Sequence, residues 1–320
     1  MMKDYILGID TSAYTTSVAV VDSQAGRVIF DMRKTLLVPA GQKGLRQQDA
    51  VFQHLKNLPE IFKEIPFDLK NVGVVSVSSR PRNVEKSYMP VFTVGQNFGK
   101  VIAKTLNCDC LEYSHQENHI GASIIDDYKR IYNNILAIHI SGGTTEFLSV
   151  SKAHTGYKAD IIGGSNDITL GQLIDRIGTA MQFQFPCGLH MEKYIKDNPN
   201  IENIKIPRIS GDKYINLSGM ENYYTNLYNL NKYEKQTIIY SLFKYTAECI
   251  IKIIESLIRE HEFNTIIITG GVASNSTIRK IVSEKFKNQF ELIFPLIGNS
   301  SDNAIGIAFM PIIDRWYNEA

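Results

Sequence analysis

His115 and His119 stand four residues apart in the run His115-Gln116-Glu117-Asn118-His119. On a helix, residues at i and i+4 share one face, so two imidazoles at this spacing can reach one metal ion. A pair of surface histidines has the same spacing, so a third ligand is needed. Asp302, in Ser301-Asp302-Asn303, offers a carboxylate where a helix begins. His139 ends an apolar run that leads into a glycine turn. It is a candidate fourth ligand, the alternative being a core histidine with its hydrogen bonds satisfied. Mixed nitrogen and oxygen ligation suits Fe or Zn. The motif is not that of the zinc peptidases, because position 116 is glutamine.

A second set of residues suits an anion. Ser141-Gly142-Gly143-Thr144 and Gly270-Gly271 each follow an apolar run. Without a Cβ, backbone N–H groups stay open, and turns of this kind cradle phosphates. Either turn alone is most often just a tight turn. Asp10-Thr11-Ser12 forms a third polar segment between apolar runs. Asn275 follows the second turn, as an N-cap or as a contact to a nucleotide. Asp175 lies on an amphipathic stretch, as a solvated charge or as an acceptor for ribose hydroxyls.

These groups need elements to hold them. Apolar runs predict strands over 5–9 and 17–21 around a polar turn at 10–16. A helix is expected from about 44 to 63, with Val51, Leu55, Leu58 and Phe62 buried and a kink or split at Pro59. A strand over 72–77 and a helix over 92–106 follow, the helix burying Val94, Phe98, Val101 and Ile102. A second hairpin spans 136–150, a long helix 235–260, a strand 265–269, a helix from 276 and a last one over 301–310. The strand-turn-strand opening near residue 5 recurs near residue 135, which predicts two similar lobes with a cleft.

Composition limits the function classes. The 320 residues carry 34 Lys+Arg against 33 Asp+Glu, a net charge of +1. That excludes a strongly basic nucleic-acid clamp or a polybasic membrane binder. It leaves room for a local patch such as Arg80, Arg82, Lys86, Lys100 and Lys104, more simply read as a solvated face. Four cysteines without a CxxC pair exclude a disulfide scaffold and argue against a cysteine zinc ribbon. No stretch approaches the length of a membrane span, and the first residues lack the features of a signal peptide. A reduced, soluble, cytoplasmic protein is expected.

In this order, the motifs resemble the TsaD (Gcp, Kae-type) family of tRNA threonylcarbamoyladenosine synthases, formerly called O-sialoglycoprotein endopeptidases. The resemblance covers nearly the whole chain. It rests on GIDTS at 8–12, His115 and His119 as the HxxxH motif, Ser141-Gly142-Gly143, Asp175, Gly188 in the YPGGP position, GGVASN at 270–275, and Asp302 in SDNAIGIA. His139 stands where some members carry a metal-ligating tyrosine. The resemblance implies an α/β, two-lobed actin/Hsp70/sugar-kinase-like fold, with lobes at 1–121 plus 299–320 and at 122–298.

It further implies one divalent metal, Fe or Zn, on His115, His119 and Asp302, with His139 as a further ligand. An adenine nucleotide would be held by Asp10, Thr11, Ser12, Ser141, Gly142, Gly143, Thr144, Asp175, Gly188, Gly270, Gly271 and Asn275. The implied reaction moves a threonylcarbamoyl group from its adenylate to N6 of adenosine 37 in ANN-decoding tRNA, with no acyl-enzyme nucleophile. The implied partners are a TsaB-like dimerisation partner, an adenylate-forming synthase and an ATPase subunit, with tRNA as acceptor and no membrane. The chain departs from the family pattern at several places. Ala13-Tyr14-Thr15-Thr16 replaces CDET, Ser79-Arg80-Pro81-Arg82-Asn83 stands where GPGL is absent, and Thr144 replaces a histidine. Ser218-Gly219-Met220-Glu221-Asn222 replaces SGLKT, and only His54 remains of PExxSRxH. The pattern is that of a divergent paralogue, whose alternatives are a degenerate nucleotide-binding partner or regulator, or a carbamoyltransferase with another acceptor.

Overall fold

The computed structural model describes residues 4–12, 14–38, 45–127, 132–295, 298 and 302–319. Ala13, Gly44 and Ser301, named above, lie outside the described residues. The chain forms two compact units: residues 1–132, 151–159 and 301–320 make unit 1, and residues 133–150 and 160–300 make unit 2.

Unit 1 is built on a sheet of five strands in the order β3-β2-β1-β4-β5. The strands are β1 (Tyr5–Ser12), β2 (Thr15–Asp22), β3 (Arg27–Thr35), β4 (Val72–Arg80) and β5 (Asp109–Ser114). β1 runs antiparallel to β2 and parallel to β4. Helices α1 (Gln47–Lys63), α2 (Phe92–Leu106), α3 (His115–Ile124) and α9 (Ile305–Glu319) belong to this unit.

The polar segment expected to be a turn is strand instead. Register pairs Asp10 with Ser17, Thr11 with Thr16 and Ser12 with Thr15. The hydroxyls are used inside the fold: Thr11 Oγ1 donates to the Val91 carbonyl at 2.9 Å and accepts the Gly95 N–H at 3.1 Å. Thr11 thereby docks the start of α2 on β1.

The two predicted helical stripes need correction. α1 continues through Pro59 and buries Ala50, His54, Leu58 and Ile61, while Leu55 is exposed. His54 turns inward because its Nδ1 shares a hydrogen bond with Thr16 Oγ1 at 2.8 Å. Burial pulls its pKa down to about 4, against the opposing pull of the Asp10 charge, so the ring is neutral. α2 has the expected bounds, yet Val101 is exposed and glycines 95 and 99 face β1 and β4 instead.

Unit 2 repeats the topology. Its sheet order is β11-β10-β6-β7-β8-β9, from β6 (Ile135–Ile140), β7 (Thr145–Lys152), β8 (Tyr157–Ser165), β9 (Tyr214–Ile215), β10 (Thr265–Thr269) and β11 (Glu291–Ile293). β6 is antiparallel to β7 and parallel to β10, as β1 is to β2 and β4. The outer ends of β7 and β8, with the turn between them, count with unit 1. Helices α4 (Leu170–Ala180), α5 (Cys187–Asp197), α6 (Ser218–Asn229), α7 (Lys235–Leu257) and α8 (Ser276–Phe286) cover the sheet. The core of this unit gathers isoleucines of α7, such as Ile250 and Ile254, with Phe147, Tyr224 and Phe286. Among the described residues, no helix is long and apolar enough to cross a membrane.

Candidate metal centre and glycine turns

Three elements converge at one point in unit 1 because three glycines let their backbones meet. A Cβ on Gly8 of β1 would lie 2.5 Å from the Ala304 carbonyl, just before α9. A Cβ on Gly121 of α3 would lie 2.8 Å from the Gly306 carbonyl, and one on Gly306 would run into the Asn118 carbonyl. Asn118 then ties the two helices, donating to the Asn303 carbonyl and accepting the Ile307 N–H at 2.7 Å. Asn303 Oδ1 accepts the Ile305 N–H at 2.9 Å and so starts α9. Asp302, one residue earlier, therefore sits over α3.

The start of α3 is fixed as firmly. Ser114 is its N-cap, and Ser114 and Glu117 form a reciprocal capping box. Glu117 is buried, and it also accepts the Tyr157 N–H at 2.9 Å. Burial pushes its carboxyl up, opposed by the Ser114 and Tyr157 N–H groups and Arg80. Asn83 donates to the Tyr157 carbonyl at 2.9 Å. Nearby, Asp314 of α9 collects Tyr113 OH at 2.8 Å, Lys152 Nζ at 2.7 Å and the Gly156 N–H at 2.9 Å. This buried network holds the helix that carries the histidines.

His115, His119 and Asp302 each present one ligand atom, all within 4.8 Å of one another. The two Nε2 atoms are 3.1 Å apart, and each is 3.5 Å from Asp302 Oδ1. Ligand atoms about 2.1 Å from a tetrahedral ion would lie about 3.4 Å apart. The carboxylate separations are long for hydrogen bonds but right for sharing a cation. The donor set and its spacing fit a divalent metal.

Without a metal the cluster holds a proton. Burial lowers the pKa of His115, but the Asp10 charge and hydrogen bond, with Asp302 behind them, raise it to about 10. Burial would raise Asp302, but the two histidines hold it well below the usual carboxylate range. The raised His115 pKa adds stability to the metal-free protein below about pH 6.5. That stability is lost as pH rises through about 10. A metal must displace this proton, so its affinity should climb with pH across the neutral range, with proton release on binding. Calorimetry in two buffers of different ionisation heat measures the release. Affinity that is flat from pH 6 to 9 would contradict the assignment.

His139 lies in unit 2, half-buried on β6, opposite Glu146 of β7 and beside Thr269 of β10. Asp10, expected at a nucleotide, is fully buried and faces His115. Ser12 is buried as well.

The glycine turns of unit 2 lie at one end of β6 and β10. The Ser141 N–H closes the first turn on the Thr144 carbonyl at 2.9 Å, and Thr169, the N-cap of α4, donates its hydroxyl to the Gly142 carbonyl at 3.0 Å. Thr145 Oγ1 accepts the Leu170 N–H at 2.9 Å. Asp175 Oδ1 accepts the Cys187 N–H at 2.8 Å, which brings the start of α5, and Gly188, beside it. Burial pushes the Asp175 carboxyl up, opposed by that N–H. Asn275 is the N-cap of α8, accepting the Ile278 N–H at 3.0 Å. Glu192 of α5 accepts the Ser276 N–H at 3.2 Å and so joins α5 to α8.

Two of the glycines here are explained by the fold. Gly270 has φ +96°, and a Cβ on Gly171 would run into the Ser141 carbonyl. Four are not. A Cβ on Gly143 or Gly271 would meet nothing within 4 Å. One on Gly142 would reach only Asp175 Oδ2 at 3.8 Å, and one on Gly188 only Ile174 at 3.7 Å. None of these four has a left-handed φ. Sequence reasoning found the four together with Gly270 and had no means of separating them from it.

The repeated sheet topology of the two units is that of the actin/Hsp70/sugar-kinase class. Solved structures agree at the level of fold. Component A of (R)-2-hydroxyglutaryl-CoA dehydratase from Acidaminococcus fermentans superposes with a TM-score of 0.57 at 14% identity, covering 98% of this chain and 99% of that one. A ROK family glucokinase from Streptomyces griseus gives 0.53 at 11% identity, covering 95% and 98%. Within that class, the chain belongs to the TsaD family, described as tRNA N6-adenosine threonylcarbamoyltransferase, whose profile matches residues 47–309. A relative of that name from Sulfurihydrogenibium sp. is 27% identical over 95% of this chain and 88% of its own length. The family is one of transferases, not peptidases.

Proposed function

We propose that the protein transfers a threonylcarbamoyl group from threonylcarbamoyl-adenylate to N6 of adenosine 37 in ANN-decoding tRNA, in the cytoplasm. The observation that carries this is the set of four glycines with no internal reason to be glycine. Gly142, Gly143, Gly188 and Gly271 leave backbone open where a flat or anionic ligand must come close. The adenylate's phosphate lies against the Ser141–Thr144 turn, where the Gly143 N–H reaches Ser141 Oγ at a long 3.3 Å. Asp175 Oδ2 and the start of α5 take the ribose. Gly270 and Gly271 give the nucleotide room, and Asn275 acts through the helix it caps. Thr11, whose hydroxyl is bonded to the Val91 carbonyl and the Gly95 N–H, serves the fold instead.

His115, His119 and Asp302 would hold a divalent ion, Fe or Zn. An ion bound there would supply Lewis acidity. In the transfer, the N6 amine attacks the carbamoyl carbon, the bond from that carbon to the phosphate oxygen breaks, AMP leaves, and the amine loses one proton. N–H groups of the Gly142–Gly143 turn stabilise the charge that grows on the departing phosphate. A TsaB-like partner, an adenylate-forming synthase and an ATPase would assist.

The test is reconstitution. Purified protein with those partners, the adenylate and an ANN-decoding tRNA should yield modified adenosine. No product beside an active ordinary family member would reject tRNA as the acceptor. A second reading, a partner or regulator without turnover or a carbamoyltransferase with another acceptor, is favoured by the sequence at 14–15. Tyr14 is exposed and Thr15 half-buried, and neither is acidic. Metal bound without turnover, and co-purification with another family member, would support that reading.

A further inference from the structure

We propose that Asp10 is a positioning residue of the metal centre: its carboxylate takes the Nδ1–H of His115 and turns that ring so that Nε2 faces the ion. The inference rests on the metal-centre reading above.

His115 Nδ1 lies 2.9 Å from Asp10 Oδ1, while His115 Nε2 is the atom that meets His119 and Asp302. The two ring nitrogens therefore have separate tasks. Asp10 has no exposed surface and does not belong to the three-residue ligand group. Its other oxygen, Oδ2, is buried with no hydrogen-bond partner. A buried carboxylate with a single partner is costly unless positive charge stands next to it. Here the neighbour is the His115 imidazole, with the ion on its far side.

A ligating histidine that passes its other N–H to a carboxylate is held in one tautomer and made more basic. Asp10 is placed to do this by β1 itself. It sits two residues beyond Gly8, whose missing Cβ admits the chain entering α9. The strand that carries Asp10, the helix that carries His115 and the segment that carries Asp302 thus meet through backbone packing.

The test titrates the full-length protein with Zn2+ against a chromogenic chelator. Asp10→Asn keeps the shape but loses the charge, and Asp10→Ala loses both. Affinity should fall about 10-fold for the first and toward 100-fold for the second. Nitrogen NMR of the histidine ring gives a second readout, which a merely structural role would not move. In the zinc-loaded wild type, His115 should carry its proton on Nδ1 and the metal on Nε2. In folded Asp10→Ala, the ordered Nδ1–H signal should vanish.

Affinities within twofold of wild type for both variants would overturn the proposal, as would zinc on Nδ1 of the wild type. If the variants fail to fold, the wild-type spectrum decides alone. Failure of the metal-centre reading looks different: His115→Ala would then bind zinc as well as wild type does.

Discussion

His119→Ala and Asp302→Ala are each expected to lose the metal and the transfer activity together, while the metal-free chain still folds. The group offers three ligand atoms, and each substitution removes one. A carboxylate that only orients a ligating histidine is worth about 10- to 100-fold in affinity, so loss of a direct ligand should exceed about 100-fold. The helix itself should survive the histidine change. The position of α3 depends on the Ser114–Glu117 capping box, Asn118 and the Gly121–Gly306 contact, none of which uses the His119 ring. A metal bound at 1,000 times its Kd stabilises the native state by about 4 kcal/mol. The wild type should therefore gain thermal stability with added metal, and the two variants should gain none. Metal content by mass spectrometry after dialysis gives the direct reading. Full occupancy in both variants would place the ion elsewhere.

The histidine pair was legible in sequence because its geometry is local. A spacing of four residues on one helix brings two imidazoles to one face. Asp302 was a candidate by residue type and its place at a helix start, but nothing in its neighbourhood points back across the chain to α3, and the family pattern was what paired it with the histidines. Asp10 was visible as a polar residue in an apolar strand, but its partner lies 105 residues away. Local pattern suggested a turn there and a nucleotide contact. The structure extends both strands instead, through their cross-strand register and the docking of α2 on Thr11.

The helical stripes were misread for a related reason. Hydrophobicity alone put Leu55 and Val101 inward, whereas His54 and Gly99 are the residues that meet the sheet. A histidine bonded through one ring nitrogen to a threonine and a glycine pressed on a valine carry no apolar signal. The doubled architecture was legible, because the strand-turn-strand opening occurs twice, and each copy heads a sheet with the same order over five strands, to which unit 2 adds β9.

Gly143→Val and Gly271→Val should separate function from folding more sharply than any other pair in unit 2. At both positions a side chain enters space with no protein atom within 4 Å, and neither backbone has a left-handed φ. Loss of a glycine at such a site stiffens the unfolded chain, so stability should hold or rise by about 0.5 kcal/mol. Nucleotide binding should suffer, because the isopropyl group would occupy the space that a phosphate or purine needs. Displacing a reacting group by about 1 Å costs about 100-fold in rate, and a valine at either turn would shift it at least that far. Gly171→Ala provides the contrast: its Cβ would meet the Ser141 carbonyl, so the protein should lose stability along with activity. Urea denaturation and AMP binding by calorimetry, run on all three variants, test the contrast. Wild-type AMP affinity in both valine variants would mean that these glycines are ordinary turn residues, and the nucleotide would have to be sought on another face of unit 2.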